Sequence, residues 1–327
     1  MGQVGNRNTL RTIGLCGRIC QHVDEGRNGM ERIGFIGAGM MGSGIARTLK
    51  AAGYPMLVYK RAISEDDAIV RELRNHDIQL TTNLAQVFET TDVLLLCLPD
   101  SPTVETILLG RSGLAAHGKR TVHTVIDFTT AHPDSTKRVG IELEKLKIRF
   151  MDAPMTGGPK QAEQGELGLA VGGPKELFET YTPLFATIAK HFHYAGPLGC
   201  ANVLKLINNY LSIMNTCAAS AAYALIEQSD IDKDSFYEFI SKSGGDSKGF
   251  QNVMTRIRKQ EFPMGFALKL AHKDIGYMKD LFDRSGGFPI FTGTCAVMDQ
   301  AMDEGYGDRD MREVYFNIKE HVKPISE

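Results

Sequence analysis

The sequence predicts an α/β fold: a Rossmann-type, doubly wound, mostly parallel sheet followed by an all-helical C-terminal segment. Three observations carry this reading. From Glu31 onward, short apolar strands alternate with helical stretches, the pattern of strand–helix–strand crossovers. The strands are nearly continuous apolar runs, Val93-Leu94-Leu95-Leu96 above all, as expected where both faces of a sheet are covered. Beyond Pro197 the pattern changes, and residues 200–228 hold almost no helix breaker.

In chain order, strands are expected at 32–36, 55–59, 92–98, 121–127 and 148–151, and helices at 43–52, 65–74, 103–109 and 133–146. A second unit follows, with a strand at 165–173, a helix at 174–190 and a strand at 191–195. His191 and His193 alternate on that last strand and share a face. No carboxylate or third ligand accompanies them in sequence, so no metal is expected. One long helix then runs over 200–228. Further helices reach about Val322, broken by glycine turns at 244–245, 286–287 and 305–307. The expected organisation is an extension at 1–29, a dinucleotide-binding domain at 30–196 and a helical domain for substrate and oligomerisation at 197–327.

Composition excludes several classes. Hydrophobic residues make up 43% and charged residues 23%, the profile of a globular protein. A net charge of −2 gives no basic excess for nucleic acid or an anionic membrane. No apolar run reaches the roughly 18 residues that cross a bilayer. The six cysteines form no CxxC pair, and with no secretory signal the chain reads as a reduced, cytoplasmic protein. The first 29 residues carry four arginines and no acid before Asp24, which fits either a transit peptide or a loose extension ahead of Met30.

Gly37, Gly39 and Gly42 form G-x-G-x-x-G, and the motif follows an apolar strand and opens a helix, its confirming context. Gly37 permits the tight turn, Gly39 lets a pyrophosphate approach the backbone, and Gly42 lets helix and strand pack. The stretch Gly37-Ala38-Gly39-Met40-Met41-Gly42 therefore reads as a phosphate cradle at a helix N-terminus. An NAD site places an acid on the adenosine ribose about 20 residues past the first glycine. Lys60 stands there instead, followed by Arg61. Two cations would pair with a 2′-phosphate, so NADP(H) is expected in preference to NAD(H), with NAD(H) possible if both charges are solvated.

The remaining motifs resemble the β-hydroxyacid dehydrogenase family, which includes 3-hydroxyisobutyrate dehydrogenases and semialdehyde reductases. The resemblance covers about residues 31 to 320. "LCLPDSPTV" looks like the family's strand end, with Leu98 and Pro99 lining the cofactor and Thr103 at a polar contact. "DFTTAHP" is similar to D-x-S-T-x-x-P, which puts Thr130 by the nicotinamide ribose, with Thr129 beside it; both could equally cap the helix that starts at Pro133. "DAPMTGG" resembles D-A-P-V-S-G-G, and Thr156, Gly157 and Gly158 offer a hydroxyl and closely spaced amides to a substrate carboxylate. Met155 and Thr156 depart from the family's Val and Ser, which leaves substrate size open.

"GPLGCANVLKLINNY" resembles G-x-x-G-x-G-x-x-x-K-x-x-N-N, with Ala201 in place of the third glycine. Lys205 and Asn209 are four apart on the long helix and share a face, with Asn208 flanking it. The resemblance implies that Lys205 passes a proton to or from the substrate oxygen, while Asn209 holds that oxygen or orients the lysine. "FALKLAHKDI" is similar to the family's KD segment. It implies that Lys273 reaches the nicotinamide end of the cofactor and that Asp274 positions neighbouring helices.

The expected activity is hydride transfer between NADP(H) and a small 3-hydroxy carboxylate or semialdehyde. Glyoxylate, succinic semialdehyde and a sulfonated aldehyde are open as substrates. Imine reduction and a non-catalytic NADP-binding role are the rival readings. The long helix is apolar on more than one face, so a homodimer or homotetramer is also expected.

Overall fold

The computed structural model describes residues 30–323. The expectations made for residues 1–29 lie outside it. Its first half is a layered α/β unit: β1 (Ile33–Ile36), α1 (Met40–Ala51), β2 (Met56–Tyr59), α2 (Ala68–Asn75), β3 (Gln79–Thr81), α3 (Leu84–Thr90), β4 (Val93–Leu96), α4 (Ser101–Leu109), β5 (Thr124–Asp127), α5 (Pro133–Glu144) and β6 (Arg149–Asp152). The strands lie in the order β3-β2-β1-β4-β5-β6 and are parallel throughout. This is the doubly wound order, with its reversal between β1 and β4.

Then come β7 (Met155–Thr156), α6 (Pro159–Gln164), β8 (Leu167–Gly172), α7 (Lys175–Ile188) and β9 (Ala189–Gly196). β8 runs antiparallel to β6 and β7, and β9 is parallel to β8. Two apolar clusters cover the sheet, one around Phe35, Leu95 and Phe185, the other around Phe88, Leu96 and Val125. Complete burial of Val93 to Leu96 follows from that double cover.

The second half is helical: α8 (Cys200–Ile226), α9 (Lys233–Ser241), α10 (Lys248–Lys259), α11 (Leu268–Arg284), α12 (Pro289–Asp303), a 3-10 turn at Met311–Glu313 and α13 (Val314–His321). One face of α8 is buried with α11 and α12 through Leu206, Tyr210, Ile213, Ile275, Phe291 and Met298. No helix among the described residues is long and apolar enough to cross a membrane.

The two halves are clasped beside α5. His132 Nε2 lies 3.0 Å from Asp280 Oδ2, and Arg284 pairs with Asp134 at 2.8 Å. His132, Asp134 and Asp280 are the one trio among the described residues whose ligand atoms converge closely enough for an ion. Arg284 pairs with both acids and Lys137 lies 3.9 Å from Asp134, so two cations already face the two carboxylates.

Some elements differ from expectation. α1 begins at Met40 rather than Ser43, and α2 at Ala68, where the Asp67 carboxylate caps the Ile69 amide. β3, α3, β7 and α6 were not anticipated.

Candidate active site

Parallel strands deliver all their C-terminal ends to one edge of the sheet, and the expected site residues follow those ends in turn. Gly37 follows β1, Lys60 follows β2, Leu98 and Pro99 follow β4, Thr129 and Thr130 follow β5, and Thr156 to Gly158 lie just beyond β6. A ligand crevice opens in this fold where the strand order reverses. Here that is the gap between the ends of β1 and β4.

The glycine turn fills that gap. Gly37 has φ +102°, and a Cβ there would stand 2.2 Å from the Cys97 carbonyl oxygen. A Cβ on Gly42 would stand 2.2 Å from the Gly37 oxygen. Both glycines are thus required by the chain's own packing. Gly39 is different: a Cβ there would meet nothing within 4 Å. α1 carries no side-chain cap, so the first-turn amides of Met40, Met41 and Gly42 have no intrahelical acceptor. An open glycine in front of free amides fits a dinucleotide's pyrophosphate. Ala38 is buried, and a Cβ on Gly37 would also meet the Leu98 side chain at 3.2 Å.

At the end of β2, Lys60 is not a free cation. Its ammonium lies 3.0 Å from Asp67 Oδ2, whereas Arg61 is exposed. At the end of β4, Thr103 donates its hydroxyl to Asp100 within the cap of α4, so its polar group is engaged locally. At the end of β5, Thr129 Oγ1 accepts from the Leu98 amide at 3.0 Å. The cap of α5 is His132, so neither Thr129 nor Thr130 caps that helix.

Burial pushes the Asp127 carboxyl up to about 7, and its Oδ2 has no hydrogen-bond partner. Burial likewise pushes the neighbouring Cys97 thiol up to about 12, which excludes it as a nucleophile near neutral pH.

α8 is fixed to this edge by residues the sequence reading did not single out. Asp152, at the end of β6, accepts from the Gly199 and Asn202 amides, each at 2.9 Å. Asn202 Oδ1 in turn accepts from the Ala131 amide after β5. The signal for Asp152 was an acid at the end of an apolar strand; Asn202 lay unremarked inside the lysine motif.

One helical turn further on is Lys205. It is half-buried, and among the described residues its ammonium makes no hydrogen bond or ion pair. Burial lowers it to about 8, with Asp274 opposing that shift and Lys273 adding to it. Asn209 is buried, donates to Asp274 Oδ2 at 2.6 Å and accepts from Asn208 at 3.2 Å.

Lys273 donates to the carbonyls of Pro99 and Thr130, at 2.8 and 2.7 Å, and lies 3.0 Å from Asp274 Oδ1. Lys273 therefore ties α11 to the ends of β4 and β5. Asn209, Asp274, Lys273, Pro99 and Thr130 form one connected group, and Lys205 feels it through the charges of Asp274 and Lys273.

The expected carboxylate cradle stands apart from it. Thr156 and Gly157 are exposed, Gly157 has φ +113°, and the Gly158 amide donates to Gln161 Oε1 at 3.0 Å. Among the described residues no hydrogen bond joins the cradle to Lys205. The two are linked through β6 and Asp152.

Comparisons with known proteins agree with this architecture. Residues 32–196 match the NAD-binding domain of 6-phosphogluconate dehydrogenase, and residues 199–317 match the NAD-binding domain of NADP-dependent 3-hydroxyisobutyrate dehydrogenase. The chain is 28% identical to 2-(hydroxymethyl)glutarate dehydrogenase of Eubacterium barkeri, over 86% of this chain and 93% of that one. It is 26% identical to the mitochondrial 3-hydroxyisobutyrate dehydrogenase of Mus musculus, over 95% and 92%. A crystal structure of 3-hydroxyisobutyrate dehydrogenase from Salmonella typhimurium shares the fold, with TM-score 0.77, 22% identity, and 88% and 99% of the two chains covered. With a dinucleotide turn at the strand-order reversal and both halves matched, the chain belongs to the β-hydroxyacid dehydrogenase family, that of the 3-hydroxyisobutyrate dehydrogenases, and is an NAD(P)-dependent dehydrogenase.

Proposed function

We propose that the protein moves a hydride between NADP(H) and a small 3-hydroxy carboxylate or its semialdehyde, with Lys205 as the proton-transfer group. The single observation that carries this reading is the state of Lys205: half-buried, without a counter-ion of its own among the described residues, and lowered to about 8. A lysine so placed exchanges a proton near neutral pH, which a solvated one does not. When bound, the nicotinamide supplies the hydride acceptor or donor.

The chain's own residues do the rest. In the oxidative direction neutral Lys205 takes the alcohol proton; in the reductive direction its ammonium returns it. Asn209, oriented by Asp274, presents its carboxamide beside that oxygen. The Thr156 hydroxyl and the amides of Gly157 and Gly158 receive the substrate's carboxylate, which displaces Gln161 from Gly158. Lys60 and Arg61 favour the 2′-phosphate of NADP(H).

The names of the relatives fit a substrate with a carboxylate and a hydroxyl or aldehyde carbon. We place the protein in the cytoplasm, in keeping with the free thiols of Cys97, Cys200, Cys217 and Cys295. We also propose a homodimer or homotetramer. Buried on one face, α8 leaves Leu204, Ile207, Leu211 and Leu225 exposed, at 39 to 50%. A helix apolar all round is covered all round.

A panel assay tests the activity: 3-hydroxyisobutyrate, tartronate semialdehyde, succinic semialdehyde, glyoxylate and a sulfonated aldehyde, each with NADPH or NADP+ and with NADH or NAD+. Turnover of one or more acids with NADP(H) favoured is the expected result. Turnover of cyclic imines alone, or cofactor binding with no turnover of any member, would overturn it.

A further inference from the structure

The Lys60 ammonium already has an anion. Asp67 lies seven residues along the chain, at the start of α2, and its two carboxylate oxygens do different things. Oδ1 caps the helix, accepting from Ile69 at 2.8 Å and Val70 at 3.4 Å. Oδ2 lies 3.0 Å from Lys60 Nζ. Lys60 is anchored as well: its amide donates to the Thr81 carbonyl, and its side chain is only 17% exposed. The Asp67 carboxyl is held below its ordinary value, first by Lys60. The pair is therefore a fixed feature of the loop between β2 and α2, whereas Arg61 is exposed.

In a doubly wound fold the adenosine ribose lies at the end of the second strand. A 2′-phosphate and the Asp67 carboxylate thus compete for one ammonium. With a 2′-hydroxyl in place, Lys60 keeps Asp67 and no charge is stranded. With a 2′-phosphate, Asp67 is a like charge close by, and part of the attraction is lost.

We propose that Asp67 is a specificity-determining residue for the cofactor, limiting the preference for NADP(H) and keeping NAD(H) usable. The proposal rests on the reading that Lys60 and Arg61 face the 2′ position. Asp67 acts on the same cation as the 2′-phosphate and sets how far that cation discriminates.

The test substitutes the charge and keeps the cap. Asparagine caps helices as well as aspartate does, so Asp67→Asn preserves α2. NADPH and NADH dissociation constants are measured by cofactor fluorescence titration without substrate, and kcat/KM with each cofactor beside them. Asp67→Asn is expected to tighten NADPH about tenfold relative to NADH, and to raise the ratio of kcat/KM with NADPH to that with NADH in step. Glu65→Gln removes the same charge from the same loop, but Glu65 pairs with Arg74, so it is expected to change the ratio less than twofold. Lys60→Ala should lower the ratio.

If Lys60→Ala lowers the ratio while Asp67→Asn leaves it unchanged, the inference about Asp67 is wrong and the reading of Lys60 stands. An equal rise in Asp67→Asn and Glu65→Gln also overturns it, because the effect would then be one of general charge. If neither Lys60→Ala nor Asp67→Asn changes the ratio, the placement of the 2′ site itself falls.

Discussion

The Asn209 amide donates to the Asp274 carboxylate across 2.6 Å, joining α8 to α11 in the interior beside Lys205. The same carboxylate lies 3.0 Å from Lys273 and opposes the lowering of Lys205 by burial. Asp274→Asn removes the charge and leaves the shape. Lys205 is then expected to fall further, so the rise of kcat/KM for the oxidation moves to lower pH. Rate profiles between pH 6 and 10 check the shift; an unmoved inflection would mean that Asp274 serves packing alone.

Lys205→Ala is expected to lower kcat by about 10²-fold or more, the usual scale for general acid–base catalysis. NADPH affinity should change little, since the glycine turn and the β2 end lie elsewhere. Lys205→Arg should rescue poorly because a guanidinium does not release its proton near neutral pH. The wild type is expected to show the matching pH signature. Lys205 must be neutral to accept a proton, so oxidative kcat/KM should rise through about pH 8, and reductive kcat/KM should fall through the same point. Turnover by Lys205→Ala within a few-fold of wild type would leave this lysine a bystander.

The glycine turn separates folding from binding. Gly39 has φ −86° and open space beyond its Cα, so Gly39→Ala should leave Tm within about 2 °C while weakening NADPH binding at least tenfold. Gly42→Ala forces a methyl against the Gly37 carbonyl and should cost about 1–3 kcal/mol of stability. Calorimetry and cofactor titration on both variants decide this. Equal losses of stability in the two would contradict it.

Asp127 should make the fold pH-sensitive. Its folded-state pKa, about 7, lies above the ordinary 3.8. The folded chain therefore keeps a proton that the unfolded chain releases, and stability from this group falls as pH rises from about 4 to about 7. Asp127→Asn can still accept from the Thr129 amide. Its Tm should exceed the wild-type value at pH 8 and match it near pH 4; a constant difference across that window would show that Asp127 is not the group responsible.

The exposed stripe on α8 predicts association. Leu211→Lys, placed among Leu204, Ile207 and Leu225, should split the wild-type oligomer. Light scattering on both proteins at micromolar concentration is the check, and a wild type that is only a 36.0 kDa species contradicts the proposal.

Much of the sheet was legible because its strands are buried on both faces, and an unbroken apolar run as short as Val93 to Leu96 suits a central strand. β3 escaped because it spans Gln79–Thr81, with Gln79 exposed and Leu80 only half-buried, too short for a periodicity. α3 escaped because its start is set by Asn83, whose side chain accepts from the amides of Ala85 and Gln86, and not by an apolar stripe. The motifs located the glycine turn, the lysine helix and the threonine–glycine turn. They could not show that Lys60 meets Asp67, that Thr103 binds Asp100 or that Gln161 covers Gly158. The Asp100–Thr103 and Gly158–Gln161 contacts have the i,i+3 spacing of a helix N-terminus, which the family motifs do not carry, and the Lys60–Asp67 pair forms only when the loop after β2 folds back.

The fastening of α8 at Asp152 and Asn202 places Lys205 next to a pivot. Rising about 1.5 Å per residue, the helix reaches roughly 40 Å into the helical half. A tilt of about 5° taken at Asn202 would carry Ile226 through roughly 3 Å but Lys205 through only about 0.4 Å. The far end of this lever can shift with the helical half while Lys205 keeps its place beside the ends of β5 and β6.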